Sequence, residues 1–421
     1  MIPRAMYKIP KVGGALMSQP KSKRTRTILE SLWSTGRPQT GDQSPSISRL
    51  NQTISFDVRQ DGNSINVQGD GIDVVFSVEG VALPRRADPS FAVWGLLQRA
   101  MEEGFNLHIN EPVDPRVAAN AEQLSQVWEM WAPNHFRSIK VTSASGWSRG
   151  SEIRKPRVHL YSGGVDSTYS LLKDRLPDAP GYAVTVCGVD QTHEGNFPSL
   201  LDKTAPLLDK LNYERISVWT NAQRNPPALT HGFTLAASAF LLSDLFVCGT
   251  LAADSTLAED MATFPWGTNH VTNEYFAGSD FFVQSAGADS KRTEKIAALV
   301  DAGIDPTWLS FCRKAIPANC GTCGKCIRTK AMFLVATGNI PNIFVNNRFD
   351  YALIKEIGSK YAHRVHLFDI YHCAKNRGML DKFPGLENVV EQSRLQAAAY
   401  EALHKPRNLE KSKKKAKRLK S

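Results

Sequence analysis

The sequence predicts an α/β fold in which a parallel sheet carries helices on both faces, preceded by a small α+β domain. Three observations predict it. From residue 157, four β-rich apolar runs alternate with helical patterns, as parallel strands with helical crossovers do. Residues 53–80 instead alternate apolar and polar positions between Asp-Gly turns, which indicates short antiparallel strands. Four of the seven cysteines fall within fifteen residues, which predicts a metal-binding loop.

The basic residues of the chain are concentrated at its two ends. Residues 1–49 hold nine Lys and Arg against two Asp and Glu, and residues 404–421 hold nine against one. These ends sum to +15, whereas all 421 residues sum to +10, so the middle is acidic. We expect segments 1–50 and 404–421 to be mostly disordered. The tails permit a nucleic-acid partner, but the acidic middle does not favour one.

Hydropathy favours a soluble, cytoplasmic protein without membrane contact. The first residues lack the apolar segment of a secretory signal. Residues 234–253 resemble a membrane span in hydropathy, but Asp244 lies near their middle, where a charge is costly in lipid. A helix, a turn at residues 243–244 and a buried strand explain this stretch better.

Residues 51–145 are expected to form the small α+β domain. Its strands are predicted at 53–60, 64–69, 71–80 and 138–143, and its helices at 89–104 and 115–131. The composition of the residues that follow, up to 156, is that of a linker.

Residues 156–340 are expected to form the α/β core, and residues 341–403 a helical extension. The core strands are predicted at 157–162, 182–190, 216–221 and 245–250, and the helices between them begin near 166, 198 and 232. Ligands of such sheets bind at the carboxyl ends of the strands, near a topological switch point. The sequence therefore predicts a ligand-binding site at the end of the first core strand.

The stretch HLYSGGVDSTYSLL, residues 159–172, joins the first core strand to a helix. Two adjacent glycines let the backbone turn sharply and approach an anion closely. The helix that follows offers unpaired amides and a positive dipole end, which suits phosphate. The predicted nucleotide-binding residues are Ser162, Gly163, Gly164, Asp166, Ser167 and Thr168. Asp166 would repel phosphate unless Mg²⁺ lies between them, or unless it caps the helix.

The cysteine cluster reads CRKAIPANCGTCGKC, with the spacing C-x7-C-x2-C-x2-C. Its predicted metal ligands are Cys312, Cys320, Cys323 and Cys326. Four thiolates form a closed tetrahedral Zn²⁺ site, which is typical of a structural metal, and an iron–sulfur cluster is the alternative. Lys325, Arg328 and Lys330 would offset the negative charge of the thiolates.

The motif SGGVDS resembles the pyrophosphate loop of the PP-loop ATP pyrophosphatases, and the resemblance covers roughly residues 157–337. Such a loop followed by C-x7-C-x2-C-x2-C is similar to the QueC family. That family makes 7-cyano-7-deazaguanine from 7-carboxy-7-deazaguanine, ATP and ammonia, and carries a zinc site. The segment SKRTEKIAAL, 290–299, resembles a short family motif and places Arg292 where the family has a phosphate-contacting lysine. The family usually has arginine where this chain has Thr329.

The resemblance implies an ATP-dependent ligase that releases AMP and pyrophosphate, with Asp166 and Arg292 as catalytic residues and ATP, Mg²⁺ and Zn²⁺ as cofactors. The implied substrate is a deazaguanine-type acid. The extra segments around the core look like the long QueC-like proteins of anti-phage systems such as Qat and CBASS. We therefore expect the amine to come from a protein partner of the same operon, with the region of Trp94, Trp128 and Trp131 as a candidate surface. The favoured alternative is that these tryptophans only fill the core of their own domain.

Three alternatives stay open at this point. The first is a plain nitrile synthase that uses ammonia. The second is a PP-loop tRNA-modifying enzyme, which would need a free catalytic thiol pair. The third is a nucleotide-binding module without catalysis. His231-Gly232 and Trp266 are weaker candidates for contacts with a planar base.

Overall fold

In the described part of the chain, ten strands form one sheet, and most neighbouring pairs are parallel. The computed structural model describes residues 49–148, 154–176, 178–190, 192–223, 229, 231–260, 266–354 and 364–392. All of them belong to one contact unit, Gln43–Ser421. The segments expected to be disordered lie outside the described residues, apart from Arg49 and Leu50.

The sequence positions of the strands and helices are as follows. The strands are β1 (Thr53–Asp61), β2 (Ser64–Gly69), β3 (Ile72–Glu79), β4 (Asn106–Pro112), β5 (Val141–Ala144), β6 (Lys155–Leu160), β7 (Gly181–Cys187), β8 (Tyr213–Thr220), β9 (Phe246–Ala252) and β10 (Phe282–Ala286). The helices are α1 (Phe91–Glu103), α2 (Pro115–Trp131), α3 (Val165–Lys173), α4 (Phe197–Leu211), α5 (His231–Phe240), α6 (Leu257–Asp260), α7 (His270–Asn273), α8 (Arg292–Asp301), α9 (Gly324–Thr337) and α10 (Arg364–Asn376). The sheet order is β10-β9-β6-β7-β8-β3-β2-β1-β4-β5.

The four predicted core strands are β6 to β9, and they are parallel to one another. The apolar stretch at 234–253 forms α5, a turn and β9, as the sequence predicts. A fifth parallel strand, β10, pairs with β9 and is not predicted by the sequence pattern. No helix in the described ranges combines the length and the hydropathy needed to cross a bilayer.

Apolar cores lie on both faces of the parallel strands. Ala183 and Val184 are neighbours on β7, so their side chains point to opposite faces of the sheet. Ala183 packs in a core with residues of α3, α4, α8, α9 and α10. Val184 packs in another core with residues of α1, α2 and α5. The predicted α/β class, with helices on both faces, is therefore confirmed.

The five N-terminal strands extend the same sheet. β3 pairs antiparallel with β8, with Phe76 opposite Thr220. Just beyond β8, the side chain of Asn221 accepts a hydrogen bond from the Val75 amide at 2.8 Å and donates one to the Asp73 carbonyl at 3.2 Å. The hydrogen bonding is therefore continuous from the expected accessory region, 51–145, into the expected core.

The tryptophans of the N-terminal region fill the core between its helices and the sheet. Trp94 and Trp128 are 0% and 1% exposed, and Trp131 packs edge-on against Trp128 at 5.4 Å between ring centroids. Burial of these large rings stabilises the junction between α1, α2 and α5. Trp94 and Trp128 therefore offer no surface to a protein partner.

Candidate functional site

The strand order reverses at β6, and this creates a crevice. From β6 the chain adds β7 and β8 on one side of the sheet, and then β9 and β10 on the other. The segments that follow β6 and β9 therefore diverge at the carboxyl ends of these two adjacent strands. Residues 161–168 follow β6, and Asp254 follows β9. The predicted Ser-Gly-Gly loop thus lies at the topological switch point.

Gly163 makes the sharp turn between β6 and α3. Its φ of +76° lies in the left-handed region that favours glycine. A Cβ at this position would lie 2.9 Å from Thr204 Cγ2, and the Gly163 carbonyl accepts a hydrogen bond from the Ser310 amide at 2.8 Å. Gly164 is the N-cap residue of α3, so the first amides of the helix lie at the crevice.

The hydroxyls of the loop differ in their exposure. Ser162 is exposed, and its Oγ lies 3.2 Å from the Oγ of Ser167. The Ser167 hydroxyl also accepts a hydrogen bond from the Ser162 amide at 3.3 Å. Thr168 is fully buried, and its hydroxyl has no hydrogen-bond partner. Of the three predicted hydroxyl-bearing residues, only Ser162 is exposed at the crevice. Ser167 is buried, and its hydroxyl lies within hydrogen-bond distance of the Ser162 hydroxyl.

Asp166, in the first turn of α3, forms ion pairs with two cations of α8. Arg292 Nε donates to Asp166 Oδ1 at 3.2 Å, and its Nη2 donates to Oδ2. Lys295, whose side chain is 1% exposed, donates to Asp166 Oδ1 at 3.2 Å and to the Ala253 carbonyl at 2.7 Å. The structure thus brings the two predicted catalytic residues together. The sequence pattern does not single out Lys295, although it lies one helical turn after Arg292.

A second carboxylate, Asp254, also contacts Arg292 from the end of β9. Its Oδ1 accepts a hydrogen bond from Arg292 Nη2 at 3.3 Å, and its Oδ2 accepts from Trp266 Nε1 at 2.8 Å and Thr268 Oγ1 at 3.3 Å. Burial opposes ionisation, but the charge of Arg292 and the hydrogen bond from Trp266 outweigh it. They hold the pKa of Asp254 well below its usual range, so this carboxylate is ionised at neutral pH.

The two weaker sequence candidates form the wall beside Asp254. The His231 ring lies edge-on to Trp266 at 5.9 Å, and its Nε2 lies 3.3 Å from Thr268 Oγ1. A Cβ on Gly232 would lie 2.3 Å from the Gly267 carbonyl oxygen, so this glycine permits a close backbone approach. The polar edge of the Trp266 indole is engaged by the carboxylate.

Helix α9 brings two further cations to the crevice. Lys325 and Arg328 lie three residues apart and therefore share a face of the helix. Burial lowers the pKa of Arg328 to about 9, repulsion from Arg292 adds to this effect, and Asp254 and Asp166 oppose it. Burial and repulsion from other cations likewise lower the pKa of Lys325. Lys325 and Arg328 thus both interact electrostatically with Asp254, and the other carboxylates near the four cations are Asp166, Asp190 and Asp369. Cations beside the free amides of a helix N-terminus suit an anionic ligand.

The four predicted metal ligands form one cluster. The Sγ atoms of Cys312, Cys320, Cys323 and Cys326 all lie within 4.8 Å of one another. The Cys312–Cys323 and Cys320–Cys326 sulfur atoms are 3.8 and 3.9 Å apart. Four thiolates at the usual zinc–sulfur distance would lie about 3.8 Å apart, whereas a disulfide requires about 2 Å. The cluster could therefore hold a metal ion such as zinc.

Hydrogen bonds from the surrounding loop support the cluster. The Lys314 amide donates to Cys312 Sγ at 3.3 Å, and the Cys323 amide donates to Cys320 Sγ at 3.4 Å. Lys330 lies nearby and donates to the Gly321 carbonyl at 2.9 Å, so it ties α9 to the loop. Because α9 begins directly after Cys323, a bound metal would fix the start of the helix that carries Lys325 and Arg328.

The two carboxylates of the crevice do not by themselves form a magnesium site. Both oxygens of Asp166 accept hydrogen bonds from Arg292 or Lys295, and both oxygens of Asp254 accept from Arg292, Trp266 or Thr268. Among the described residues, only the cysteine cluster groups three or more possible ligands closely enough for a metal. Asp166 and Asp254 are therefore not assigned as ligands of a resident Mg²⁺.

No protein-family model, no curated protein and no solved structure matches this chain. Its function is therefore inferred from the chemistry of the crevice and of the cysteine cluster.

Proposed function

We propose that the protein binds ATP in the crevice and uses it to adenylate a carboxylate, which an amine then attacks to give an amide. One observation supports this above all. Arg292 and Lys295 are ion-paired to Asp166 in the first turn of the helix that follows the glycine turn, and Lys325 and Arg328 interact electrostatically with the neighbouring Asp254. A triphosphate is the common ligand that matches both the charge and the backbone amides.

The proposed reaction has two steps. In the first, a carboxylate oxygen of the acid attacks the α-phosphorus of ATP, the bond to the bridging oxygen breaks, and pyrophosphate leaves. Arg292 and Lys295 stabilise the charge that develops on the phosphate oxygens, and Asp166 holds both side chains in place. In the second step, the amine nitrogen attacks the acyl carbon, AMP leaves, and the amine gives up its proton.

The resemblance of SGGVDS to the PP-loop motif supports adenylation, and the cysteine spacing supports a QueC-like substrate. We therefore take 7-carboxy-7-deazaguanine as the first acid to test. Magnesium would enter as the partner of the ATP phosphates. The metal of the cysteine cluster would be structural, because four protein ligands leave no open position.

The products of ATP cleavage test this proposal. ATP labelled at the α-phosphate is incubated with the protein and the acid, and AMP and ADP are separated. We expect AMP as the labelled product, released with pyrophosphate. Ser162→Ala and Asp166→Ala should reduce the rate by about 100-fold or more. Asp289→Ala, which removes an exposed carboxylate paired with Lys173, is the matched control. ADP as the main product would overturn the adenylation proposal.

The amine is tested separately. We propose a protein N-terminus, because an α-amino group has a pKa near 8 and supplies more neutral amine at pH 7 than lysine does. Intact-mass measurements on partner proteins, with ATP and the acid present, should show an acyl adduct. Efficient formation of the nitrile from ammonia, without any adduct, would instead identify a nitrile synthase. A tRNA-thiolating role is less favoured, because the clustered cysteines would be engaged by metal.

A further inference from the structure

Helix α10 lies beyond the expected core, yet it contacts the crevice residues. Its residues His366 and Asp369 are three apart, so they lie on the same face of the helix. Both are buried, at 9% and 3% exposure. Leu367 and Ile370 of the same helix pack in the core that also contains residues of α8 and α9. Helix α10 therefore braces the two helices that supply the cations.

Asp369 caps the beginning of α8. Its Oδ2 accepts a hydrogen bond from the Thr293 amide at 3.0 Å, and its Oδ1 accepts from the Thr293 hydroxyl at 2.6 Å. The Thr293 amide is one of the N–H groups in the first turn of a helix that have no partner within the helix. A carboxylate at this end also interacts favourably with the helix dipole. Asp369 thus fixes the turn that carries Arg292.

His366 contacts Arg292 itself. The Arg292 Nη1 atom lies 3.5 Å from His366 Nε2. A guanidinium group can only donate hydrogen bonds, so the imidazole nitrogen is the acceptor in this contact. The Nε and Nη2 groups of Arg292 are directed to Asp166 and Asp254. The guanidinium is therefore held by three segments of the chain at once.

We propose that His366 is a positioning residue for the proposed reaction, which orients the Arg292 guanidinium toward the phosphates by accepting a hydrogen bond from Nη1. This proposal rests on the proposed function, since it assigns the segment after the core to the same site. It requires an acceptor at position 366, and it does not require a positive charge or an aromatic ring.

The test compares His366→Leu, which removes the acceptor, with His366→Gln, which keeps one. His372→Leu, on an exposed position of the same helix, is the matched control. We expect His366→Leu to lower kcat/KM for ATP by about 10- to 100-fold, the range that one hydrogen bond to a charged group spans. His366→Gln should stay within about threefold of wild type, and thermal unfolding reports any loss of folding.

Affinity for inorganic pyrophosphate, measured by calorimetry, separates this proposal from the adenylation proposal. If the wild type releases no pyrophosphate from ATP but binds it, adenylation is wrong and the affinity of the two variants still tests His366. Weaker binding in His366→Leu alone would then support the positioning role. Equal losses in Leu and Gln variants, or no loss in either, would overturn it. A wild type that neither binds pyrophosphate nor releases it from ATP would overturn both proposals.

Discussion

Substitution of Lys295 by methionine tests the buried ion pair in the crevice. The side chain keeps its apolar length but loses the ammonium group, so Asp166 and the Ala253 carbonyl each lose a donor. Asp166 stays paired with Arg292, so the cost is that of two hydrogen bonds from a charged donor, about 3–5 kcal/mol together. The substitution also removes one of four neighbouring cations, and the relief of repulsion returns about 1 kcal/mol. We therefore expect a net loss of about 2–4 kcal/mol.

Thermal unfolding monitored by circular dichroism measures this loss. The entropy of unfolding scales with chain length, so 1 kcal/mol corresponds to about 1 °C in a chain of this size. Lys295→Met should lower the Tm by about 2–5 °C. The control is Lys173→Met, which removes the lysine of an exposed pair with Asp289 and should change the Tm by less than about 1 °C. Equal shifts in the two variants would refute the buried ion pair.

Three further perturbations test the metal cluster, the wall beside Asp254 and its carboxylate. Cys323→Ser should lower the zinc content from one ion per chain and reduce stability, because metal binding contributes to folding; elemental analysis that finds iron, or no metal in the wild type, would contradict this. Gly232→Ala should lower the free energy of unfolding, measured in urea, by about 1–3 kcal/mol, because the new Cβ would lie 2.3 Å from the Gly267 carbonyl oxygen. The control is Gly324→Ala, which should be nearly neutral because a Cβ there meets nothing within 4 Å. The lowered pKa of Asp254 contributes stability that is fully present above its unfolded pKa near 4 and is lost as the pH falls through the folded value. Trp266→Phe removes a donor that lowers this pKa, so acid unfolding should begin at a higher pH; an unchanged acid midpoint would contradict the assignment.

The local parts of the site could be predicted from sequence because short motifs carry them. The glycine turn at Gly163 and the spacing of the cysteines are fixed by a few consecutive residues, and the structure places both as the motifs predict. Arg292 could be assigned to the same site as Asp166 only through a resemblance, because 126 positions separate them, and their ion pair was not predicted. The glycine turn and the cysteine cluster could therefore be predicted from sequence, whereas the ion-pair partners of Asp166 could not.

The parts that could not be predicted depend on contacts between distant segments. Asp254 lies beside the glycine turn because β9 pairs with β6, and Lys325 and Arg328 interact electrostatically with Asp254 because α9 packs on α8. From sequence, Lys325 and Arg328 are predicted to offset the negative charge of the thiolates, since they lie next to Cys326 or two residues from it. The antiparallel pairing of β3 with β8 likewise cannot be predicted from the alternation of apolar and polar residues within either strand. The sequence pattern does not predict strand β10, because the strand is short and carries an exposed Phe282.

The pairing of β3 with β8 also covers one edge of the parallel part of the sheet. Without residues 53–144, β8 would present an open row of amides and carbonyls, which is a template for pairing with another chain. In the described sheet the outermost strand on that side is instead β5, which has four residues and offers little length for such pairing. A fragment that begins at residue 154 should therefore aggregate, even though it retains the glycine turn and all four clustered cysteines.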